Sequence, residues 1–127
     1  MVTEDYVSLK TAKLLKEKGF DERVKSYFTD DGLEGYMFGT GQKSNSELED
    51  CFYSRPTLQM VMRWLREMHE IFILIEYDPP VFSADIYRMN DIDEHGGARH
   101  ISPTFANHKS YEEACEAGIR YCLEELI

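Results

Sequence analysis

Apolar side chains recur every three or four positions in three stretches of the chain, which is the spacing of one face of an α-helix. The first stretch, from Leu9 to Lys18, follows a serine that can cap a helix, Ser8, and stops at Gly19. The second stretch opens at Pro56 and ends near Glu70. The pattern predicts two amphipathic helices, each with recognisable end signals.

The third stretch lies at the C-terminus, from Ser110 to Ile127. Ser110 and Glu113 have the spacing of a capping box. The stripe behind this cap comprises Tyr111, Ala114, Cys115, Gly118, Ile119, Cys122, Leu123 and Leu126. We therefore predict a final helix that buries one continuous face.

Runs of strand-forming residues lie between the first two helices. Val24 to Thr29 and Leu33 to Phe38 flank Asp30-Asp31-Gly32, which is a good hairpin turn. Gly39 to Asp50 is polar and predicts a loop. This part of the chain is thus expected to form a two-stranded hairpin.

A second set of strands follows the Pro56 helix. Ile71 to Tyr77 is apolar on both faces, which predicts a central, well-covered strand. After a turn at Asp78-Pro79-Pro80, Val81 to Met89 predicts its partner, and Ala98 to Ser102 predicts a short edge strand. The order α-β-β-α-β-β-(β)-α indicates a single α+β domain over residues 1–127, with an antiparallel sheet and helices mainly on one face.

The composition agrees with one folded domain in the cytoplasm. Hydrophobic residues make up 43% of the 127 residues and aromatic residues 13%, which argues against disorder. The longest dense apolar run, Ile71 to Ile75, is too short to span a bilayer, and the first residues lack the apolar core of a signal peptide.

Cys115 and Cys122 are two helical turns apart, about 10 Å, which is too far for a disulfide.

Charge is the strongest constraint on function. The formal net charge of −10 opposes direct binding of nucleic acid, because phosphate neutralisation dominates that affinity. The second half has the α-β-β-β-α order of double-stranded-RNA-binding domains, but the predicted N-terminus of its last helix is acidic at Glu112 and Glu113. Leu9 to Ser26 differs, with six basic and three acidic residues, a net of +3. It is either the solvated face of a surface helix or a basic patch that docks an acidic partner or a second copy, so a homodimer is possible.

The segment from residue 91 to residue 108 carries the candidate chemistry. His95, His100 and His108 could converge with Asp91 or Asp93 to bind a divalent metal ion. The alternative is an acidic hairpin turn with surface histidines. The sequence contains none of the common hydrolase or redox motifs and designates no catalytic residue and no cofactor.

Aromatic residues are dense in the predicted hairpin. Tyr27, Phe28, Tyr36 and Phe38 lie on both faces of two strands, and one helix cannot obviously cover both. They are either core residues or an exposed aromatic patch that binds a partner.

Three blocks of the chain resemble a family of small uncharacterised proteins from Bacteroidetes genomes and their prophages. The blocks run from Val7 to Asp21, from Arg55 to His69 and from Tyr111 to Ile127. The resemblance implies a bacterial or phage protein of the cytoplasm and implies no activity.

Together these features favour a small acidic protein that binds another protein and is not an enzyme. An accessory factor of a phage or mobile element would have this size and charge, and its acidic face could imitate nucleic acid. The alternative is a domain that binds a small molecule or a divalent metal through the 91–108 segment.

Overall fold

The computed structural model describes residues 5–127, apart from the side chains of residues 102 and 103. In this described part the chain forms three α-helices and two antiparallel three-stranded sheets, so the predicted α+β class is confirmed. The strands are divided between two sheets because each ladder closes within its own part of the chain. Residue contacts separate two compact units, Met1–Thr57 and Leu58–Ile127. The single domain over residues 1–127 stays a prediction.

Both predicted ends of the first helix are present in the first unit. Helix α1 spans Leu9–Glu17, and the Ser8 hydroxyl accepts a backbone hydrogen bond from the first turn at 3.3 Å. After the helix, Gly19 adopts a φ of 90°, and the Phe20 N–H donates to the Leu15 carbonyl at 2.9 Å. This left-handed glycine cap turns the chain so that Phe20 is buried in the core.

The first sheet has one strand more than the sequence predicts. Strands β1, Ser26–Thr29, and β2, Glu34–Tyr36, form the predicted hairpin. Strand β3, Phe52–Ser54, pairs with the other side of β1, which makes the order β2-β1-β3. Three residues show no alternating pattern by themselves, and β3 lacks the adjoining hairpin turn that indicated β2, so the sequence did not reveal it.

The segment from Gly39 to Asp50 contains a short 3₁₀ turn, Asn45–Glu47. The Asn45 side chain is buried and donates through Nδ2 to the Phe20 carbonyl at 2.8 Å. Its Oδ1 accepts from the Ser54 N–H at 2.9 Å. One amide therefore joins the end of the first helix to β3.

The same turn also holds Asp21 in a charged form. The Asp21 carboxylate accepts from the Ser46 backbone N–H at 2.7 Å and from the Ser46 hydroxyl at 2.9 Å. These bonds lower the pKa of Asp21 from its usual value, and the backbone hydrogen bond has the largest effect.

We expect this carboxylate to make a small pH-dependent contribution to stability. Because its pKa is lowered on folding, the contribution is present above about pH 3.9, the ordinary aspartate pKa, and is lost as the pH falls through the lowered value. Asp21→Asn should therefore be less stable than wild type at neutral pH, and the difference should vanish in acid. Urea unfolding across this pH range measures it, with Asp50→Asn as the exposed control. A difference that persists at low pH would contradict the linkage.

The second unit has the order α-β-β-β-α. Helix α2 spans Leu58–His69, strand β4 spans Ile71–Asp78, strand β5 spans Val81–Ile92 and strand β6 spans Ala98–His108. Helix α3, Tyr111–Tyr121, follows and continues into a π-helical turn, Cys122–Leu126. Within the described residues, no helix is long and apolar enough to cross a membrane.

Two strand predictions for this unit are wrong. The sheet order is β4-β5-β6, so the apolar strand β4 lies at an edge and β5 is central. A run of apolar residues indicates that a strand is buried, but it does not indicate how many strands pair with it. Strand β6 continues past the predicted end at Ser102, because a proline such as Pro103 is tolerated on an edge strand.

Helix α3 lies close against the sheet because of one glycine. A Cβ atom on Gly118 would be 3.1 Å from Ile73 Cγ2 and 3.4 Å from Ala84 Cβ. Ser110 caps the helix as predicted, accepting from the Glu113 N–H at 3.1 Å, whereas the Glu113 side chain accepts from the Lys109 N–H. The predicted stripe is buried over most of its length, at Ala114, Cys115, Gly118, Ile119, Cys122 and Leu123.

The cysteines behave as small core residues or as surface residues. Cys115 and Cys122 are free and buried, and Cys51 is free and exposed. Burial raises the pKa of the Cys122 thiol to about 12. The thiol is thus protonated and unreactive at neutral pH.

Candidate interaction surface

One face of the second sheet is not covered by the helices of its own unit. Side chains alternate between faces along a strand, and Ile73, Ala84 and Ile86 are buried on the side of α3. Their neighbours point to the other side, which we call the open face. The open face comprises Phe72, Leu74, Asp85, Tyr87, Met89 and His100.

Several apolar side chains of the open face remain accessible to solvent. Phe72 is 37% exposed and Met89 is 42% exposed. Leu74 and Tyr87 are half-buried. Accessible apolar side chains grouped on one flat sheet face are typical of a surface that contacts another molecule.

A polar cluster lies at the centre of the open face. His100 Nε2 is 3.0 Å from Asp85 Oδ1, and the Thr104 hydroxyl donates to the same oxygen at 2.7 Å. The His100 ring also packs against Tyr87, with ring centroids 5.1 Å apart. The Asp85 side chain is only 13% exposed, so its neighbours hold it in one orientation.

This cluster contains the two groups of a proton-transfer pair, an imidazole and a carboxylate, on an exposed face of the sheet. An imidazole oriented by a carboxylate can act as a general base. Such chemistry needs a cleft that holds the substrate and excludes water, and His100 is exposed on a sheet face. The geometry shows an oriented imidazole on an accessible surface, next to the apolar side chains of the open face.

The sequence designated His100 but separated it from its actual partners. Asp85 and Thr104 belong to different strands and carry no motif. The β5–β6 ladder contains register shifts, so counting residues does not show which side chains face each other across it. Only the register itself could have identified the cluster.

The predicted metal ligands do not come together. His100 pairs with Tyr87 at one part of the β5–β6 ladder and His108 pairs with Phe82 at another, eight residues along the strand, about 25 Å. His95 lies in the turn between the two strands. In the described part of the chain, no group of three or more His, Cys, Asp or Glu side chains is placed to bind a metal ion.

The two aspartates of this segment bond within the hairpin. Asp91 forms an ion pair with Arg99 at 2.8 Å. Asp93 Oδ1 accepts from the backbone N–H groups of His95 at 2.9 Å and Gly97 at 3.0 Å, which shapes the turn. The structure thus corresponds to the acidic hairpin turn that the sequence left open as the alternative.

The aromatic residues of the first hairpin are split between core and surface. Phe28 is buried and Tyr27 is half-buried, its ring lying over Gly35 of the neighbouring strand. Tyr36 is 58% exposed and Phe38 is 97% exposed. The set is therefore partly core and partly exposed, and the binding of a partner by the exposed aromatic residues stays a prediction.

The basic residues near the first helix bond largely within their own unit. Lys16 Nζ donates to the carbonyls of Glu49, Asp50 and Phe52, the last at 2.8 Å. Arg23 forms an ion pair with Glu47 at 2.9 Å. These contacts favour a structural role for the region over a free basic patch.

Arg55 of the first unit makes several contacts that the sequence did not indicate. Its guanidinium lies 4.0 Å from the centre of the Tyr6 ring and donates to the Ser26 and Tyr36 hydroxyls at 3.1 Å and 3.0 Å. Its side chain is 11% exposed and pairs with Glu34. Arg55, which directly follows β3 in the sequence, thus contacts β1, β2 and the segment before α1.

The sequence matches no protein-family model, and neither a curated protein nor a solved structure is significantly similar to it.

Proposed function

We propose that this protein binds a positively charged partner protein through the open face of its second unit and is not an enzyme. The observation that carries the proposal is the open face itself, where accessible apolar side chains lie beside the carboxylate of Asp85. The resemblance of three sequence blocks to proteins of Bacteroidetes and their prophages supports a cytoplasmic accessory role in a bacterium or a mobile element.

Charge supports a basic partner. Residues 58–127 contain six basic and thirteen acidic residues, a net of −7. Such a unit attracts a basic protein surface over several ångströms and repels nucleic acid. Protein–protein interfaces commonly combine accessible apolar side chains with polar and charged ones, as the open face and its surroundings do.

Two double variants test the proposal by capture from a bacterial lysate. Phe72→Lys/Met89→Lys places two cations on the open face. Leu33→Lys/Phe38→Lys makes the same charge change at exposed apolar positions of the first unit. We expect the first variant to retain about tenfold less of a basic protein than wild type does, and the second variant to retain it fully.

Salt concentration separates the electrostatic part of the binding. Retention should decrease between about 0.1 M and about 1 M salt, because the screening length shortens from ~10 Å to ~3 Å. Equal retention by both variants would contradict the open face as the binding surface. A retained protein that is acidic would contradict the proposed partner chemistry.

A further inference from the structure

We infer that the free edge of β4 binds an extended segment of the partner as an additional, antiparallel strand. This inference rests on the proposed function, because it specifies how the partner is held. Strand β4 pairs with β5 through eight consecutive residue pairs. Among the described residues, no other strand pairs with it.

The edge of β4 presents backbone groups to an incoming strand. In an antiparallel ladder, alternate residues direct their N–H and C=O groups away from the existing partner strand. Such a row of groups is a template for another strand, and strand addition is a common way to bind peptides. The pairing of β4 with β5 has no register shift, so these outward groups recur at every second residue along the whole strand.

The two edges of this sheet differ in a way that favours β4. Proteins protect edge strands from pairing with prolines, bulges and inward charges. Strand β6 has two of these features, since it contains Pro103 and its ladder with β5 has register shifts at three places. Strand β4 contains no proline, glycine or lysine and no register shift.

Four side chains of β4 point to the same side of the sheet as the open face, and they define the chemistry of the segment. Phe72 and Leu74 lie toward the start of the strand, and Glu76 and Asp78 lie toward its end. Glu76 and Asp78 are exposed and form no ion pair among the described residues. Residues directly opposite in an antiparallel pair have Cβ atoms ~5 Å apart, so apolar side chains fit opposite the first pair and basic ones opposite the second.

An antiparallel segment therefore carries two basic residues at alternate positions, followed by two apolar residues at alternate positions. A second copy of this chain fits less well, because its second unit is itself acidic. Phe72 and Leu74 belong both to this edge and to the open face, so a bound strand extends the proposed surface without a break.

The test uses a capped synthetic peptide, Lys-Thr-Lys-Thr-Val-Thr-Val, titrated into the isotope-labelled full chain and followed by NMR. We expect the amide signals of Ile71–Asp78 to shift most. Replacing both peptide lysines by glutamates should weaken binding about tenfold, through two lost attractions and two new repulsions. Methylating the backbone nitrogens of alternate peptide residues, in the frame that faces β4, should abolish binding.

A charge exchange provides the decisive comparison. Glu76→Lys/Asp78→Lys should reverse the preference, so that the glutamate peptide binds more tightly than the lysine peptide. The matched control Glu94→Lys/Glu125→Lys makes the same change in net charge at exposed positions away from β4 and should keep the original preference. An unchanged preference in the β4 variant, or shifts centred outside Ile71–Asp78, would overturn the inference.

The remaining outcomes separate this inference from the proposed function. A mass that doubles with concentration, measured by light scattering, and that Glu76→Lys/Asp78→Lys returns to the monomer value would mean that a second copy occupies the edge and would overturn the inference. If the peptides fail while Phe72→Lys/Met89→Lys still releases a basic protein from the lysate capture, the proposed function stands and strand addition is wrong. If that variant releases no protein, the proposed function itself fails.

Discussion

Gly118→Leu is expected to lower the free energy of unfolding by about 3 kcal/mol, because the helix and the sheet are too close for a side chain at this position. Even a Cβ atom at Gly118 would lie 3.1 Å from Ile73 Cγ2 and 3.4 Å from Ala84 Cβ, and Ile73 and Ala84 are both buried. A leucine must push α3 away from the sheet or distort its own rotamer. Urea unfolding followed by circular dichroism measures the loss.

Two controls show whether the effect comes from this contact. Ala117→Leu places the same side chain one position earlier on α3, where Ala117 lines a cavity of about 230 Å³, and it should change stability little. Ile73→Ala removes the Cγ2 atom that Gly118 approaches. The double variant Gly118→Leu/Ile73→Ala should therefore lose less than the sum of the single losses. Strict additivity would argue that the leucine acts elsewhere.

The alanine variant separates packing from helix propensity. Gly118→Ala adds only one methyl group, and alanine favours the helical backbone by about 1 kcal/mol over glycine. The steric cost at 3.1 Å opposes this gain, so we expect a net change much smaller than that of leucine. The same glycine would look destabilising from propensity alone, and its presence follows from the close helix–sheet contact.

Helix ends were predictable from the sequence because their signals are local. Ser8 and Ser110 bond to backbone groups three residues away, and Gly19 adopts the positive φ that ends α1. These contacts depend on neighbours along the chain and need no knowledge of the fold.

Strand partners were predicted less well because they depend on distant residues. The apolar run of β4 matched the composition of a central strand, but whether a strand is central is decided by which strands pair with it. The His100–Asp85 contact joins residues fifteen apart across an irregular ladder. The sequence therefore could not predict the open face, although all of its apolar residues lie in predicted strands.

Asn45 shows the same limit for a buried polar side chain, and it gives the second large expected effect. In the sequence it belongs to a polar segment and resembles any loop residue. In the structure its amide satisfies two backbone groups of other elements, the Phe20 carbonyl and the Ser54 N–H. Asn45 is only 6% exposed, so water cannot easily replace these bonds.

Asn45→Ala is expected to destabilise the protein by about 3 kcal/mol, since it leaves a buried donor and a buried acceptor without partners. Asn45→Asp keeps the shape but cannot donate to the Phe20 carbonyl and places a carboxylate beside it, so it should be at least as harmful at neutral pH and less harmful in acid. Asn90→Ala, at an exposed position of β5, is the matched control and should be neutral. Equal stability of the Asn45→Ala variant and wild type in urea unfolding would mean that the 3₁₀ turn is not anchored through this amide. A loss of the expected size would show that a residue in a predicted loop fixes β3 and the end of α1 together.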